Sequence, residues 1–466
     1  MVIFNFRDIK MKKQFSIIIS VLIFYFIVPP DILFPQTKVF ERDEDIYKMV
    51  QEISADNIKA DIEKLVSFKT RHTLSRTDSD TEGIGAARRW VKSEFEKYAK
   101  DSDGRLFVSF DSFFVEPDNR RIPRRVELKN VMATLKGTDP GDDRIFIVSG
   151  HLDSRASNAL DSTSLAPGAD DDASGVAVVM ELARVMSKRE FPATIVFVAV
   201  SGEEQGLFGS THLAKQAKEK KWNIVAMLNN DMVSSNNSTT NLKDNVTVRV
   251  FSEGIPALES EELVRLRKIV GGENDSNSRE LARYISEVAE RYVDQLKVKL
   301  IYRSDRFLRG GDHTPFNREG FTAVRFCEMY ENYDHQHQDV RVENGVQYGD
   351  LPQFIDAYYA GKIAGANLST LANLNLAPAS PENVGVDVKE LTNNTTLMWK
   401  APKGKAPYGY YILMRETDQP NWQKKTFVKE TKVTLPYSKD NFIFAVQSVD
   451  EQGHESLPVI PAPIFR

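Results

Sequence analysis

The chain of 466 residues contains a single cysteine, Cys327. That scarcity excludes a disulfide framework and a thiolate zinc site, so a metal would have to be held by His, Asp and Glu. An excess of positive charge is also missing: 61 Lys and Arg against 66 Asp and Glu leave a net charge of −5. Without a basic stripe to neutralise phosphates, nucleic acid is not an expected partner. No HExxH occurs, which excludes a helix-borne zincin. Gly83 and Gly85 lack the third glycine and the preceding strand of a nucleotide loop and read as a helix start. The N-terminal apolar run from Phe15 to Val28 follows Lys12 and Lys13 and stops at Pro29-Pro30. At about fourteen residues it has signal-peptide length and is too short for a normal membrane span. No cysteine stands near it, so lipoprotein anchoring is excluded. Secretion or periplasmic export is expected for residues beyond 36, with membrane attachment only if the run stays uncleaved.

What is present reads as an α/β protein. The length suggests two to three domains. Ile46, Met49, Val50 and Ile53 recur at helical spacing, followed by Ile58, Ile62 and Leu65. Strands are expected at 106–114, 126–135, 144–149, 194–200, 224–228, 246–251, 297–301 and 321–326, and helices at 174–187, 208–220, 278–295 and 351–370. This alternation predicts a mostly parallel central sheet with helices on both faces. Several strands are near-continuous apolar runs, as burial on both faces requires. In such folds ligands sit outside the carboxyl ends of the strands.

The polar motifs fall at those ends. His151-Leu152-Asp153 follows strand 144–149, and Asp170 to Asp172 precede helix 174–187. Glu203-Glu204, between glycines, follows strand 194–200, and Asn229-Asn230-Asp231 follows 224–228. Asp334-His335-Gln336-His337-Gln338-Asp339 follows 321–326. Each alone has a bland reading as a helix cap, a solvated turn or a surface histidine pair. Together they supply the imidazole and carboxylate ligands that zinc prefers, and three adjacent carboxylates are held together most readily by a cation.

These motifs resemble the M28 family of co-catalytic zinc aminopeptidases, especially its bacterial secreted leucyl-aminopeptidase branch. The resemblance spans about residues 57–371 and rests on GHLDS at 150–154, PGADDDASG at 167–175, the Glu203-Glu204 pair with GLFGS, and NDM at 230–232. GDH at 311–313 and the spacing from His335 to Asp339 add to it. It implies a zinc exopeptidase fold and two zinc ions per chain bridged by Asp171. His151 and Asp231 would complete one ion, and Glu204 and His335 the other. Glu203 would be the general base, and Asp153 would orient His151 through its second ring nitrogen. A cis peptide between Asp171 and Asp172 is also implied. The expected substrates are peptides with a free N-terminus and an apolar first residue. Oxyanion stabilisation would fall to Tyr333, Arg306 or Arg309, because segment 305–309 has no tyrosine. His337 is a competing ligand that fits the family spacing less well than His335.

Rival readings on the same fold are a single-zinc glutaminyl cyclase, a carboxypeptidase and a non-catalytic adhesion protein. A carboxypeptidase would need a basic cluster for the substrate carboxylate, and the sequence does not place one. Residues 42–372 form the expected peptidase domain and 373–381 a linker. Period-2 strands follow over 382–466, with Trp399 on an early one. This segment resembles a fibronectin type III β-sandwich. Such modules bind a surface or polymer or act as spacers, and fold alone does not choose. All candidate site residues precede the linker, so truncation near Pro378 is expected to spare small-substrate hydrolysis.

Overall fold

The computed structural model describes residues 42–389 and 391–464, so the expected targeting segment lies outside the described residues. The first helices, α1 (Glu44–Gln51), α2 (Ala55–Val66) and α3 (Gly83–Ala99), bury the apolar stripes read from the sequence. Asp43 and Ser54 cap the first two by accepting backbone N–H groups. Gly83 opens α3.

The chain then runs through β1 (Leu106–Val115), β2 (Val126–Leu135), β3 (Arg144–His151), α4 (Ala173–Met186) and β4 (Thr194–Val200). Next come α5 (Glu203–Gly206), α6 (Phe208–Glu219), β5 (Asn223–Asn230), β6 (Thr247–Ser252), α7 (Glu261–Ile269) and α8 (Asn277–Tyr292). After β7 (Lys297–Ile301), α9 (His313–Arg318) and β8 (Ala323–Glu328) comes a small hairpin, β9 (Arg341–Glu343) with β10 (Val346–Tyr348), and then α10 (Ala357–Leu376). The eight larger strands form one mixed sheet in the order β1-β2-β4-β3-β5-β8-β6-β7. Its central strands β4, β3, β5 and β8 are parallel neighbours, so their carboxyl ends share one edge.

Side-chain alternation explains the apolar runs. On β3, Phe146 and Val148 join the core under α4, α8 and α10, whereas Ile147 joins Leu213 of α6 and Phe316 of α9 on the other face. The short helices α5 and α9 were not expected from the sequence, and two longer helices also differ from its reading. The last one begins at Ala357 because a 3₁₀ turn occupies Pro352–Phe354 and Asp356 then caps α10. Helix α7 gave no signal because none of its residues is buried.

The C-terminal strands β11 (Glu382–Asp387), β12 (Thr395–Lys400), β13 (Gly409–Glu416), β14 (Lys424–Val428), β15 (Lys432–Leu435), β16 (Phe442–Val449) and β17 (Ala462–Ile464) form two facing sheets. Leu397 and Trp399 from one sheet pack with Ile412 and Val446 from the other, and Trp399 meets Tyr410 edge-on at 5.2 Å. The expected linker is shorter than 373–381, because α10 continues to Leu376 with Asn373, Leu374 and Asn375 buried. The module also packs closely on the α/β domain. Tyr284 Oη donates to the Glu455 carbonyl at 2.8 Å, and the Glu455 carboxylate takes Arg291 at 2.9 Å and Lys425 at 3.0 Å. Among the described residues no helix is long and apolar enough to cross a membrane.

Candidate functional site

The carboxyl ends of β3, β4 and β5 carry His151, the Glu203-Glu204 turn and Asp231 to one place. Helix α4 must approach β3 closely for its N-terminal aspartates to reach them. Glycine permits this: a Cβ at Gly150 would lie 2.4 Å from the Gly175 carbonyl carbon.

The three aspartates have three different tasks. Asp172 caps α4 through the Gly175 N–H at 2.9 Å and also accepts the His151 N–H at 2.8 Å. Asp170 accepts the N–H of Ser234 and Ser235 at 2.9 and 3.0 Å. Asp171 alone turns its carboxylate into the pocket, and the Asp171–Asp172 peptide is cis. The capping reading holds for Asp172, and Asp171 is the member of the triplet placed where a ligand could be offered.

Two ligand groups share Asp171. One comprises His151, Asp171 and Asp231, the other Asp171, Glu204 and His337, with ligand atoms in each group within 4.8 Å of one another. His151 Nε2 lies 3.0 Å from Asp171 Oδ1, and His337 Nε2 lies 3.0 Å from Asp171 Oδ2 and 2.9 Å from Glu204 Oε1. Each oxygen of one carboxylate therefore faces a different imidazole. These donors fit zinc: each group offers one nitrogen and two carboxylates, and His151 Nδ1 meets the Asp153 carbonyl at 2.9 Å, leaving Nε2 for a ligand.

His335 is not in either group, which corrects the sequence assignment. Its ring stacks on Phe354 with centroids 3.7 Å apart, outside the pocket. The loop makes a tight turn in which the His335 and Gln336 N–H groups both donate to the Asn332 carbonyl. His337 then adopts a positive φ of 55° and its ring is directed to Glu204. Gln336 also enters, donating to Asp171 Oδ2 at 3.1 Å.

Asp153 acts differently from expectation too. Its main-chain carbonyl, not its carboxylate, meets His151 Nδ1; the nearest carboxylate oxygen is 3.9 Å away. The carboxylate instead accepts the N–H groups of Gly202, Glu203 and Glu204 at 2.8, 3.2 and 3.0 Å. It thereby holds the turn that presents both glutamates. Gly202 has φ 81°, and a side chain there would meet Leu128. Glu204 is buried among the ligands, whereas the half-buried Glu203 lines the pocket. Burial pushes the Glu203 carboxyl well up; His151 opposes this, and Glu204 and Asp231 add to it.

The pocket, about 260 Å³, is lined by His151, Asp171, Glu203, Glu204, Asp231 and His337. Arg121, Arg155, Arg306 and Arg309 share the lining, and Leu207 is its one large apolar side chain. Tyr333 is not among the lining residues and is 59 % exposed, so of the three expected oxyanion partners only Arg306 and Arg309 face the site.

Several supporting residues had not been singled out. Asp350 accepts the N–H groups of Asp170 and Asp171. Arg71, fully buried, donates to the carbonyls of Leu152, Pro167 and Gly168. Arg325 Nη2 lies 2.8 Å from Asp231 Oδ1 and Nη1 3.2 Å from Asp305. Only Arg325 left a trace in the sequence, as a charge inside the apolar strand 323–328.

The sequence profile of Peptidase family M28 matches residues 130–352. A probable zinc metalloprotease of Leptosphaeria maculans is 48% identical over 422 residues, which cover 90% of this chain and 97% of that protein. One from Pyrenophora tritici-repentis is 46% identical over 425 residues, 90% and 87% of the two chains. Among solved structures, Legionella LapA superposes with a TM-score of 0.52 at 23% identity, covering 73% of this chain and 79% of its own. On this kinship the chain belongs to peptidase family M28.

Proposed function

We propose that the protein is a dizinc aminopeptidase, removing the first residue of peptides with a free N-terminus. The observation that carries this reading is the pair of ligand groups sharing Asp171, one oxygen to each. The relatives are named as zinc metalloproteases, and the mixed imidazole and carboxylate donors suit that metal. His151 and Asp231 would hold one ion, Glu204 and His337 the other, with Asp171 common to both. When bound, the ions supply Lewis acidity to the scissile carbonyl and to the attacking water.

The chain's own residues do the rest. Glu203, lining the pocket beside the ligands, takes a proton from the water as its oxygen adds to the carbonyl carbon. The same carboxyl gives that proton to the leaving nitrogen as the C–N bond breaks. Asp153 keeps Glu203 and Glu204 in register, and Arg306 supplies positive charge towards the developing oxyanion.

The test combines metal analysis with matched substrates. Two zinc ions per chain are expected, with cleavage of leucyl-p-nitroanilide and none of its N-acetyl form. One zinc in fully active enzyme would favour the cyclase reading, and equal rates on both substrates would remove the aminopeptidase. The apolar preference expected from the sequence finds little support in a lining with one large apolar side chain and four arginines. Export remains part of the proposal on the strength of the N-terminal run alone.

A further inference from the structure

We infer that the substrate carries a carboxylate, bound by Arg155 and Arg309 with help from Arg121. This rests on the pocket being a peptidase site. The argument is one of unmatched charge. Arg306 is already matched, with Nη1 3.1 Å from Glu331 and Nε 3.3 Å from Asp305. The other three have no such partner among the described residues. Arg155 donates to two backbone carbonyls, Ala156 at 3.2 Å and Ser157 at 3.3 Å, and its one acidic neighbour is Glu204 at 4.0 Å. Arg121 donates to the Glu204 carbonyl, which is neutral. Arg309 stands 3.9 Å from Glu331, a carboxylate already held by Arg249 at 3.0 Å and Arg306 at 3.1 Å, and 3.5 Å from the Gln336 amide oxygen.

Arginine cannot discard its proton, so its charge must be met by water or by an anion. Arg155 has little access to water, its side chain being 14% exposed. The lining acids do not meet this need once the metals are counted. Asp171, Glu203, Glu204 and Asp231 carry four negative charges at most, and the two divalent ions proposed above would cancel all four. What remains is a lining with three guanidinium groups that no carboxylate holds closely; Arg121 and Arg309 are open to water, and Arg155 is not. All three cluster around the Asp171, Glu204 and His337 group: Arg121 and Arg155 through Glu204, and Arg309 through Gln336, whose amide donates to Asp171. The first group is backed by Arg325, already engaged by Asp231 and Asp305. The guanidinium fork matches a carboxylate with two parallel hydrogen bonds, and the same cluster repels a second ammonium. The carboxylate could belong to an acidic side chain or to the C-terminus of a short peptide.

The experiment uses the zinc-loaded full chain with matched substrates. One arm compares Glu-Ala amide with Gln-Ala amide and Ala-Glu amide with Ala-Gln amide; the other compares Ala-Ala with Ala-Ala amide. Whichever member supplies the carboxylate is expected to show kcat/KM higher by about tenfold or more, as a charge-assisted contact implies. In Arg155→Gln and Arg309→Gln that ratio falls towards one through a rise in KM. Calorimetric binding of the same pairs to Glu203→Gln reports the preference without turnover. Preference for the carboxylate in either arm, lost in the arginine variants, supports the inference and identifies the source. Hydrolysis of all substrates with ratios near one overturns it while leaving the peptidase reading intact. No hydrolysis of any peptide would sink that reading instead, and the calorimetric ratio alone would then decide the carboxylate: a ratio near one overturns it.

Discussion

The pocket and the contact between the α/β domain and the C-terminal module are both built from buried carboxylates, with opposite outcomes. At the contact, Arg291 and Lys425 hold Glu455 down to about 2 despite its burial. Behind the pocket, burial raises Asp350 to about 8 and pushes Asp172 and Glu328 well up, with neighbouring acids adding to the effect, while His151 and His337 hold Asp171 itself well down despite its burial. One region neutralises its acids with side chains from the same chain. The other leaves several of the acids behind it without a side-chain cation and holds its geometry through backbone N–H groups donated to Asp350 and Asp153. A self-neutralised cluster is a structural joint, and an acid-rich one is prepared for cations.

The sharpest separation should come from the adjacent glutamates. Glu203→Gln is expected to lower kcat by about 10²–10⁴ while both metals stay bound. Glu204→Gln should instead lose zinc, measured by elemental analysis after dialysis. Metal loss in the first variant and not the second would reverse their assigned roles.

Next in size is the module contact. Glu455→Gln leaves Arg291 and Lys425 facing a neutral amide, and because both are about a quarter exposed the cost should sit at the low end for a broken buried pair, roughly 3 kcal/mol. Chemical denaturation would measure it. Truncation near Pro378 removes Glu455 and Lys425 and exposes Arg291 together with Arg283, and so should yield a poorly folded domain rather than a smaller active enzyme. A truncated chain with unchanged unfolding midpoint would show the contact to be dispensable.

The two histidines offer a smaller contrast. His337→Ala should lose about one zinc per chain, and His335→Ala should keep both. The latter removes only a ring stacked on Phe354, a change of about 0.5–1.5 kcal/mol in stability. Equal metal loss in both would mean that the loop rearranges around the ions.

The same carboxylate at the module contact also sets a pH dependence. Glu455 falls from 4.5 to about 2 on folding, so its stabilisation is fully present above pH 4.5 and fades as pH drops towards 2. Wild-type protein should therefore lose more stability than Glu455→Gln across that window. Parallel acid titrations of the two would place this carboxylate outside the transition.

Much of this was legible. The apolar runs 144–149, 194–200 and 224–228 mark strands because burial on both faces leaves no polar alternation, and a motif after each such run marks the catalytic edge. The motifs that hold His151, Glu203, Glu204 and Asp231 follow from that logic, whereas Asp171 is singled out of its triplet only by the family resemblance; all five meet in one pocket. His335 misled because the sequence offers two histidines two residues apart, and spacing alone cannot say which ring points inwards. The positive φ at His337 and the position of Phe354 decide that. The carboxylate of Asp153 also had a different partner from the one assigned, since the Glu203-Glu204 turn approaches it only after β4 pairs with β3.

The sequence by itself determined the α/β class, the two-sheet C-terminal module and the chemical type of the metal ligands. Periodicity and donor chemistry are local properties, written into neighbouring residues. Tertiary structure alone decided which histidine joins Glu204, and it brought Arg121, Arg155, Arg306 and Arg309 from three separate stretches of chain to one pocket. It also turned an apparent linker into part of α10 and bound the module to the domain through Glu455. These outcomes depend on loop direction and on pairs more than a hundred residues apart, such as Arg291 with Glu455. No local pattern encodes such a pair, because its energy exists only once packing has removed both charges from water.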